Sequence, residues 1–225
     1  MSPALRRKFR TLHRWAGWVL GVQVLLWFLS GLFMTLPPIE RVRGAHLLAE
    51  TKAPAPLDGE VARRVLAEVP EATALAARTL GGRTVVEART QAGPKLLEAT
   101  GEPVRVDEGL VRDVASARYA GEGRLAAVEK LYQAPLDWRG SVPIWQARFE
   151  DAQGTRFYID PETANVRRVR TRLWRVFDTM WMLHIMGYSD RDDFNTWWLR
   201  LAALAGLLFT VTGLVLLVPR RKARA

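Results

Sequence analysis

Two long apolar segments near the ends of the chain constrain its fold more than any other feature. Residues 15–36 form a run of 22 residues without a charge, and residues 201–218 form a second run of 18. Because an α-helix rises about 1.5 Å per residue, the first run would be about 33 Å long, enough to cross the hydrocarbon core of a bilayer. The sequence therefore predicts two transmembrane helices. The first run exceeds the apolar part of a typical signal peptide, which favours a retained anchor.

Basic residues are concentrated beside these two segments. Of the 33 Lys and Arg residues, five precede residue 15 and four follow residue 218, and neither tail contains an acidic residue. The other 24 basic residues nearly balance the 23 acidic ones. Positive charge flanking membrane helices indicates the cytoplasmic side. We therefore expect both termini on the cytoplasmic face of a bacterial inner membrane and the central region in the periplasm, and the charge pattern does not support a nucleic-acid partner.

The absence of cysteine limits the chemistry available to the chain. Disulfides, thiolate metal sites and c-type haem attachment are excluded. The sequence also lacks a phosphate-binding loop, a dinucleotide fingerprint and a nucleophile elbow. Short glycine pairs such as Gly81-Gly82 are typical of turns.

The region between the apolar segments has the pattern of an α+β domain. After a Pro-containing linker at residues 51–59, residues 59–69 and 108–121 predict amphipathic helices. The predicted strands cover residues 83–89, 95–99, 126–133, 142–150, 155–160 and 165–170. A helix followed by antiparallel strands thus occurs twice, which indicates an α+β fold and allows a duplicated unit.

The predicted organisation has six parts. They are a basic cytoplasmic N-terminus (1–14), a first transmembrane helix (15–36), a periplasmic α+β domain (37–171), an interfacial amphipathic helix and loop (172–195), a second transmembrane helix (196–218) and a basic cytoplasmic tail (219–225).

Four segments resemble a known family. They are HRWAGWVLGV at 13–22, RVRGAHL at 41–47, WQARFEDAQGTRFYIDPETANV at 145–166 and LWRVFDTMWMLHIMGYSDRDDFN at 173–195. Together they are similar to PepSY-domain membrane proteins of the PepSY-associated transmembrane helix family, as a member with two membrane helices. Larger relatives with four such helices include haem-containing iron–siderophore reductases. Asn165 stands where the family often has glycine, and asparagine also tolerates a positive φ.

His184 is the first candidate functional residue. Arg172, Arg175 and Asp178 are spaced three apart, which predicts a helix over residues 172–188 with a polar stripe. His184 follows Arg175 by about 900° of helical rotation and lies on the opposite, apolar face. A lone histidine there is more often hydrogen-bonded in a core than bound to a ligand. At membrane depth, however, an unpartnered ring is costly, and a functional role gains weight.

The family resemblance implies a partner for His184. His46 lies beyond the first apolar segment, on the same expected side of the membrane. The spacing of the two histidines alone is a weak signal. The resemblance implies that they are the axial ligands of a b-type haem, a bis-histidine arrangement that suits electron transfer. Arginines that could meet the haem propionates are Arg41, Arg43 and Arg175.

His13 lies at the edge of the first apolar segment, and two interpretations remain open. It could be an interfacial residue beside basic and aromatic neighbours. Similar histidines in the larger relatives resemble ligands of an inner-side haem, which here would need a ligand from another protomer or subunit. Gly17 and Gly21 follow on the same helix and predict close helix contact. A matching small-residue face in the second apolar segment consists of Ala202, Gly206, Thr210 and Gly213.

The acidic residues Asp190, Asp192 and Asp193 follow His184. Carboxylates in such a run can bind a divalent metal or ferric iron. More often they form a solvated loop, with Asp193 or Asn195 near the N-cap of the next helix.

The leading functional hypothesis is electron transfer or reduction of ferric iron or siderophores, alone or as a subunit. One haem cannot easily carry an electron across a whole bilayer, which favours a homodimer or a larger membrane complex. The alternative is a non-enzymatic envelope module, since PepSY domains are also associated with inhibition of proteases; the sheet edge near Trp138 and Trp145 would then bind the partner. An accessory subunit of a respiratory complex is a third hypothesis.

Overall fold

The computed structural model describes residues 3–51, 53–54, 56–189 and 191–217. The helices are α1 (Pro3–Thr35), α2 (Ile39–Val42), α3 (Gly59–Glu68), α4 (Glu108–Arg118), α5 (Arg172–Ile185) and α6 (Trp197–Leu217). The strands are β1 (Ala74–Leu80), β2 (Arg83–Thr90), β3 (Gly93–Leu97), β4 (Arg124–Leu131), β5 (Ile144–Glu150), β6 (Arg156–Ile159) and β7 (Val166–Arg170). A short 3₁₀ helix covers Ala45–Leu47.

The chain forms two compact units. The helical unit comprises the described parts of Met1–Pro37 and Val176–Ala225, and the α+β unit comprises the described parts of Pro38–Arg175. The boundary between them falls inside α5. The predicted C-terminal tail, residues 219–225, lies outside the described residues.

Two long apolar helices, α1 and α6, dominate the helical unit. Their most apolar windows have mean hydropathies of 1.8 and 2.0, and both helices are long and apolar enough to cross a membrane. The two predicted spans are therefore confirmed as helices. Because α1 begins at Pro3, the basic residues ahead of the first apolar segment also belong to this helix.

Small residues allow α1 and α6 to pack closely. A Cβ placed on Gly17 would lie 3.3 Å from the ring of Phe209, and one on Gly206 would lie 3.4 Å from the ring of Trp27. Glycines of both predicted small-residue faces therefore lie at this helix contact, each against an aromatic ring of the other helix. Gly21 does not contribute, since a Cβ there would meet no described atom within 4 Å. The spacing of a Gly-x-x-x-Gly motif does not by itself determine which glycines meet the neighbouring helix.

The first sheet of the α+β unit has both faces covered. It is antiparallel, with strand order β1-β2-β3. Adjacent residues of β2 point to opposite faces, so Val86 packs with Val65 of α3 while Val85 packs with Val114 of α4. Gly81 and Gly82 both have positive φ and close the β1–β2 hairpin, as the glycine pair predicted.

The second sheet is antiparallel, with order β4-β5-β6-β7. Its core contains Phe149 and Phe157, against which Val111 and Ala115 of α4 pack. The α4 helix therefore contributes to the cores of both sheets. The α+β fold class is confirmed, and each sheet follows a helix in the chain. The two copies differ in strand number, three in the first and four in the second.

Candidate functional site

Two tryptophans hold the C-terminal end of α5, where His184 lies. The indole Nε1 of Trp27 in α1 donates a hydrogen bond to the backbone oxygen of His184 at 2.8 Å. The indole Nε1 of Trp198 in α6 donates to the backbone oxygen of Met186 at 3.0 Å. The last carbonyls of a helix lack partners within the helix. The two indoles supply them here, so both long helices fix the position of His184.

The His184 ring is oriented by Ser30. Its Nδ1 lies 3.0 Å from Ser30 Oγ, which in turn lies 2.6 Å from the backbone oxygen of Leu26. A carbonyl can only accept, so the single hydroxyl proton of Ser30 is used at Leu26. Ser30 Oγ therefore accepts a hydrogen bond from Nδ1–H of His184. This assignment leaves the lone pair of Nε2 uncommitted, since the described residues offer that atom no hydrogen bond.

His184 lines an apolar cavity of about 870 Å³ within the helical unit, and this cavity is open to the surface. The volume falls in the range of roughly 300–1,000 Å³ that is common for ligand pockets. The lining includes the aromatic side chains of Trp27 and Phe28 and the small residues Gly31 and Gly206. A Cβ on Gly31 would lie 3.4 Å from His184 Cε1, so the glycine allows the ring to lie close to α1.

His13 has a matching arrangement with α6. Its Nδ1 lies 3.0 Å from Thr212 Oγ1, and the Thr212 hydroxyl donates to the backbone oxygen of Phe209 at 2.8 Å. The His13 ring also stacks on Phe209 with a centroid separation of 4.2 Å. A Cβ on Gly213 would lie 3.0 Å from His13 Cε1. In both places a residue with a hydroxyl group, followed directly by glycine, contacts a histidine ring. Ser30-Gly31 contacts His184, and Thr212-Gly213 contacts His13.

The two histidines of the helical unit belong to separate sites. His13 lies in α1, and the Ser30 that holds His184 lies 17 residues further along the same helix. At 1.5 Å per residue, this separation is about 25 Å. His13 is therefore too far from His184 to share a cofactor with it.

His46 lies in the α+β unit, on the 3₁₀ helix Ala45–Leu47. Its side chain is exposed, and Nε2 lies 3.1 Å from Gln153 Oε1. An amide oxygen accepts, so Nε2 of His46 donates this bond and Nδ1 remains available. The pairing of His46 with His184 stays a prediction, because the two residues belong to different units.

The candidate propionate partners in the α+β unit differ in their surroundings. Arg43 is exposed. Arg175 donates to the backbone oxygen of Gly154 at 2.9 Å and lies 3.4 Å from Asp137 Oδ2, while Arg156 lies 3.1 Å from the same oxygen. Burial and the nearby Arg156 charge lower the pKa of Arg175. Arg175 thus belongs to an ion-pair network around the buried Asp137.

The polar stripe predicted on α5 includes a buried ion pair. Asp178 is 5% exposed and pairs with Arg191 at 2.5 Å. Asp190 lies outside the described residues, and among the described residues there is no group of three or more metal-binding side chains. Asp193 accepts a hydrogen bond from the backbone N–H of Asn195 ahead of α6, which fits the loop interpretation of this acidic run.

Sequence reasoning missed the residues that orient the histidines. Ser30 and Thr212 lie inside the apolar segments. A single hydroxyl in such a segment is a weaker signal than the charged residues that flank it. One signal could have found them: each apolar segment contains a hydroxyl residue followed directly by glycine, at Ser30-Gly31 and at Thr212-Gly213. The hydrogen bonds from Trp27 and Trp198 to the end of α5 depend on tertiary structure, which residue spacing does not reveal.

The fold and the site define a membrane protein with two apolar helices, an α+β unit and histidines held between helices. The protein-family model described as the PepSY-associated TM region matches residues 10–225 of this chain. The chain therefore belongs to this family, which confirms the resemblance seen in the four sequence segments. Comparisons with curated proteins and with solved structures gave no match.

Proposed function

We propose that this membrane protein binds haem b through His184 and takes part in electron transfer, with ferric iron or a ferric siderophore as acceptor. The observation that carries the proposal is the hydrogen bond from His184 Nδ1 to Ser30, because it leaves Nε2 with a free lone pair on a ring that lines an apolar cavity. Metal-bound histidines commonly donate their other ring N–H to a fixed acceptor, which sets the tautomer and the orientation of the ring.

The residues of the cavity fit a flat apolar ligand. Gly31 and Gly206 let the rings of His184 and Trp27 lie close to the neighbouring helix, and the aromatic rings of Trp27 and Phe28 form part of the cavity wall. A bound haem would supply one-electron redox chemistry, with its potential set by the axial ligands and by the polarity around it. His184 would hold the iron, while the apolar lining would exclude water.

The second axial ligand is proposed from the sequence. His46 keeps Nδ1 available while Nε2 donates to Gln153, so it can serve as a ligand without loss of that bond. We propose that the α+β unit is periplasmic and that both termini are cytoplasmic in an inner membrane, because of the basic tails. His13 presents the same ring geometry about 25 Å along α1, so a second centre there would extend electron transfer towards the other side of the bilayer.

A dithionite-reduced minus oxidised spectrum of the detergent-purified protein tests the proposal. We expect a sharp b-type α band and at least one haem per chain. His184→Ala and His46→Ala should each abolish retention of this haem, and His13→Ala should leave at least one haem bound. Full haem retention by both His184→Ala and His46→Ala would contradict the assignment.

A specific observation favours a second candidate, a non-enzymatic interaction module. Trp138 and Trp145, which were expected to bind the partner, are buried, whereas the loop between β4 and β5 exposes Tyr132 at 70% and Leu136 at 84%. Exposed apolar side chains of this kind mark binding surfaces when they cluster. A well-folded protein without haem, after expression with haem supplied, would favour an envelope regulatory module or an accessory subunit over the redox role.

A further inference from the structure

One face of the N-terminal part of α1 carries three arginines. At 100° per residue, Arg7, Arg10 and Arg14 fall within a sector of about 60°. All three side chains are exposed. Since α1 is a continuous helix from Pro3 to Thr35, the three guanidinium groups extend from the same rigid element that continues into the apolar span.

The same face becomes aromatic and aliphatic towards the apolar span. Trp18 and Leu25 fall within about 20° of the direction of Arg7. Trp18 is 79% exposed and Leu25 is 57% exposed. Trp18 follows Arg14 by one helical turn, and Leu25 follows Trp18 by about two turns. The three arginines therefore lie on the N-terminal side of the Trp18 indole and the Leu25 side chain.

The contacts with α6 use another face of α1. Arg6 donates to the backbone oxygen of Leu216 at 2.9 Å, and His13 contacts Thr212 and Phe209. Arg6 and His13 point about 70–90° away from the middle of the arginine sector, and all three of its arginines stay exposed. The arginine face is therefore not needed for packing of the two helices.

Acidic side chains do not neutralise this face. Within the described residues, Arg7, Arg10 and Arg14 form no ion pair with an Asp or Glu side chain, and the first acidic residue of the chain is Glu40. The basic tail at residues 220–224 adds positive charge without an acid. The described residues thus offer these arginines no carboxylate, and an anionic ligand can supply the counter-charge.

We propose that this face of α1 binds an anionic phospholipid. The planar guanidinium groups of Arg7, Arg10 and Arg14 match the geometry of a phosphate, which they can bind with paired N–H donors. The acyl chains would lie along Trp18 and Leu25. Clusters of basic residues at the end of a membrane helix attract anionic lipid headgroups. This inference does not depend on haem binding.

Equilibrium binding of lipid to the detergent-solubilised, full-length protein, followed by native mass spectrometry, tests the site. The probes are phosphatidylglycerol and phosphatidylcholine with identical acyl chains. The test variant is Arg7→Gln/Arg10→Gln/Arg14→Gln. The control is Arg63→Gln/Arg167→Gln/Arg168→Gln, which removes the same charge from exposed arginines of the α+β unit.

The wild type should bind phosphatidylglycerol at least about tenfold more tightly than phosphatidylcholine. Each basic residue near an anionic headgroup contributes about a fivefold change in affinity, so the test variant should lose at least about tenfold for phosphatidylglycerol. The control should change by less than about twofold. Glutamine and arginine have similar helix propensities, so the test variant should keep the helix content of the wild type by circular dichroism. If the triple variant misfolds, the single variant Arg14→Gln provides the test, with an expected loss of about fivefold in affinity for phosphatidylglycerol.

Three outcomes would overturn the proposal. The first is equal binding of the two lipids by the wild type. The second is an equal loss in the test and control variants, which would indicate diffuse attraction by net charge. The third is displacement of phosphatidylglycerol by inorganic phosphate, which would show that the arginines bind free phosphate without a requirement for the lipid.

Discussion

His184 Nδ1 lies 3.0 Å from Ser30 Oγ, and the hydroxyl proton of Ser30 is already used at the backbone oxygen of Leu26. The serine therefore acts as an acceptor, and it determines which ring nitrogen of His184 carries a proton. Ser30 is 1% exposed, so water cannot replace it in this role. In the proposed haem site, Ser30 thus determines that His184 would bind iron through Nε2.

Ser30→Ala should weaken haem binding without removing the ligand. Loss of a hydrogen bond that orients a metal-bound histidine commonly costs about 10–100-fold in affinity. We expect a change of that size in haem titrations of the apo-protein, together with a shift in reduction potential, because the ring loses its fixed acceptor. Ser30→Thr retains the hydroxyl and should restore most of the affinity.

Thr212→Val is the matched control for that prediction, since it removes the corresponding hydroxyl at His13. It should leave haem affinity at His184 unchanged. If Ser30→Ala and Thr212→Val weaken haem binding equally, the loss reflects looser packing of α1 and α6, and the role assigned to Ser30 is wrong.

Most of the helices and strands could be predicted from the sequence because their apolar residues recur at a clear helical or strand period. The β1 strand was missed, since its residues include three alanines and its exposed and half-buried positions do not alternate clearly. Alanine has a low strand propensity, so β1 depends on pairing with β2 for its conformation. The helix α5 was predicted correctly from the spacing of its polar residues, although it ends at Ile185, three residues before the predicted end.

The candidate site was harder to predict than the fold. His184 and His13 stood out as rare residues at the ends of apolar runs, but their hydrogen-bond acceptors come from other helices, and residue spacing within one helix does not reveal such contacts. Arg175 was expected to meet a ligand, and the structure places it beside Asp137 through a contact between residues 38 positions apart.

Arg191→Gln should destabilise the helical unit. Asp178 is buried and pairs with Arg191, so removal of the guanidinium leaves a buried carboxylate with fewer partners. The free energy of unfolding should fall by about 3 kcal/mol, the lower part of the range for broken buried pairs. Thermal unfolding of the detergent-solubilised protein measures the loss. Arg191→Gln/Asp178→Asn should recover part of the stability, and no recovery would argue against the pair as the cause.

Stability should fall at high pH because of Tyr119. Burial and the hydrogen bond to Asp151 raise the pKa of Tyr119 from 10.0 to about 12. A raised pKa means that the folded state holds the proton more tightly, so this contribution is complete below about pH 10 and is lost as pH rises towards about 12. Tyr119→Phe should flatten this part of the curve in urea denaturation. The control, Tyr132→Phe, alters an exposed ring and should leave the curve unchanged.

Asp151 should add a loss of stability at low pH. Burial opposes its ionisation, but hydrogen bonds from the Thr155 hydroxyl and backbone N–H and from Tyr119 outweigh this effect and hold the pKa of Asp151 below its ordinary 3.8. A depressed pKa gives stability that is complete above about pH 4 and is lost as pH falls through the folded value. Asp151→Asn should reduce this acid dependence in the same denaturation assay, and an unchanged acid limb would exclude Asp151 as its source.

Gly44→Ala should destabilise the α+β unit through a steric clash. Gly44 has φ of 74°, and an added Cβ would lie 2.5 Å from Val169 Cγ1. Backbone strain costs about 1 kcal/mol and overpacking adds about 1–3 kcal/mol, so the free energy of unfolding should fall by about 2–4 kcal/mol.

Gly82→Ala separates the two causes, since Gly82 has φ of 85° but no described atom within 4 Å of a Cβ. It should cost only the strain of about 1 kcal/mol. Val169→Ala in the Gly44→Ala background removes the γ-carbons that clash and should return part of the lost stability, although it also removes buried methyl groups. Equal losses in Gly44→Ala and Gly82→Ala would mean that the backbone conformation alone requires glycine at residue 44. In that case Val169 would not constrain the segment that carries His46.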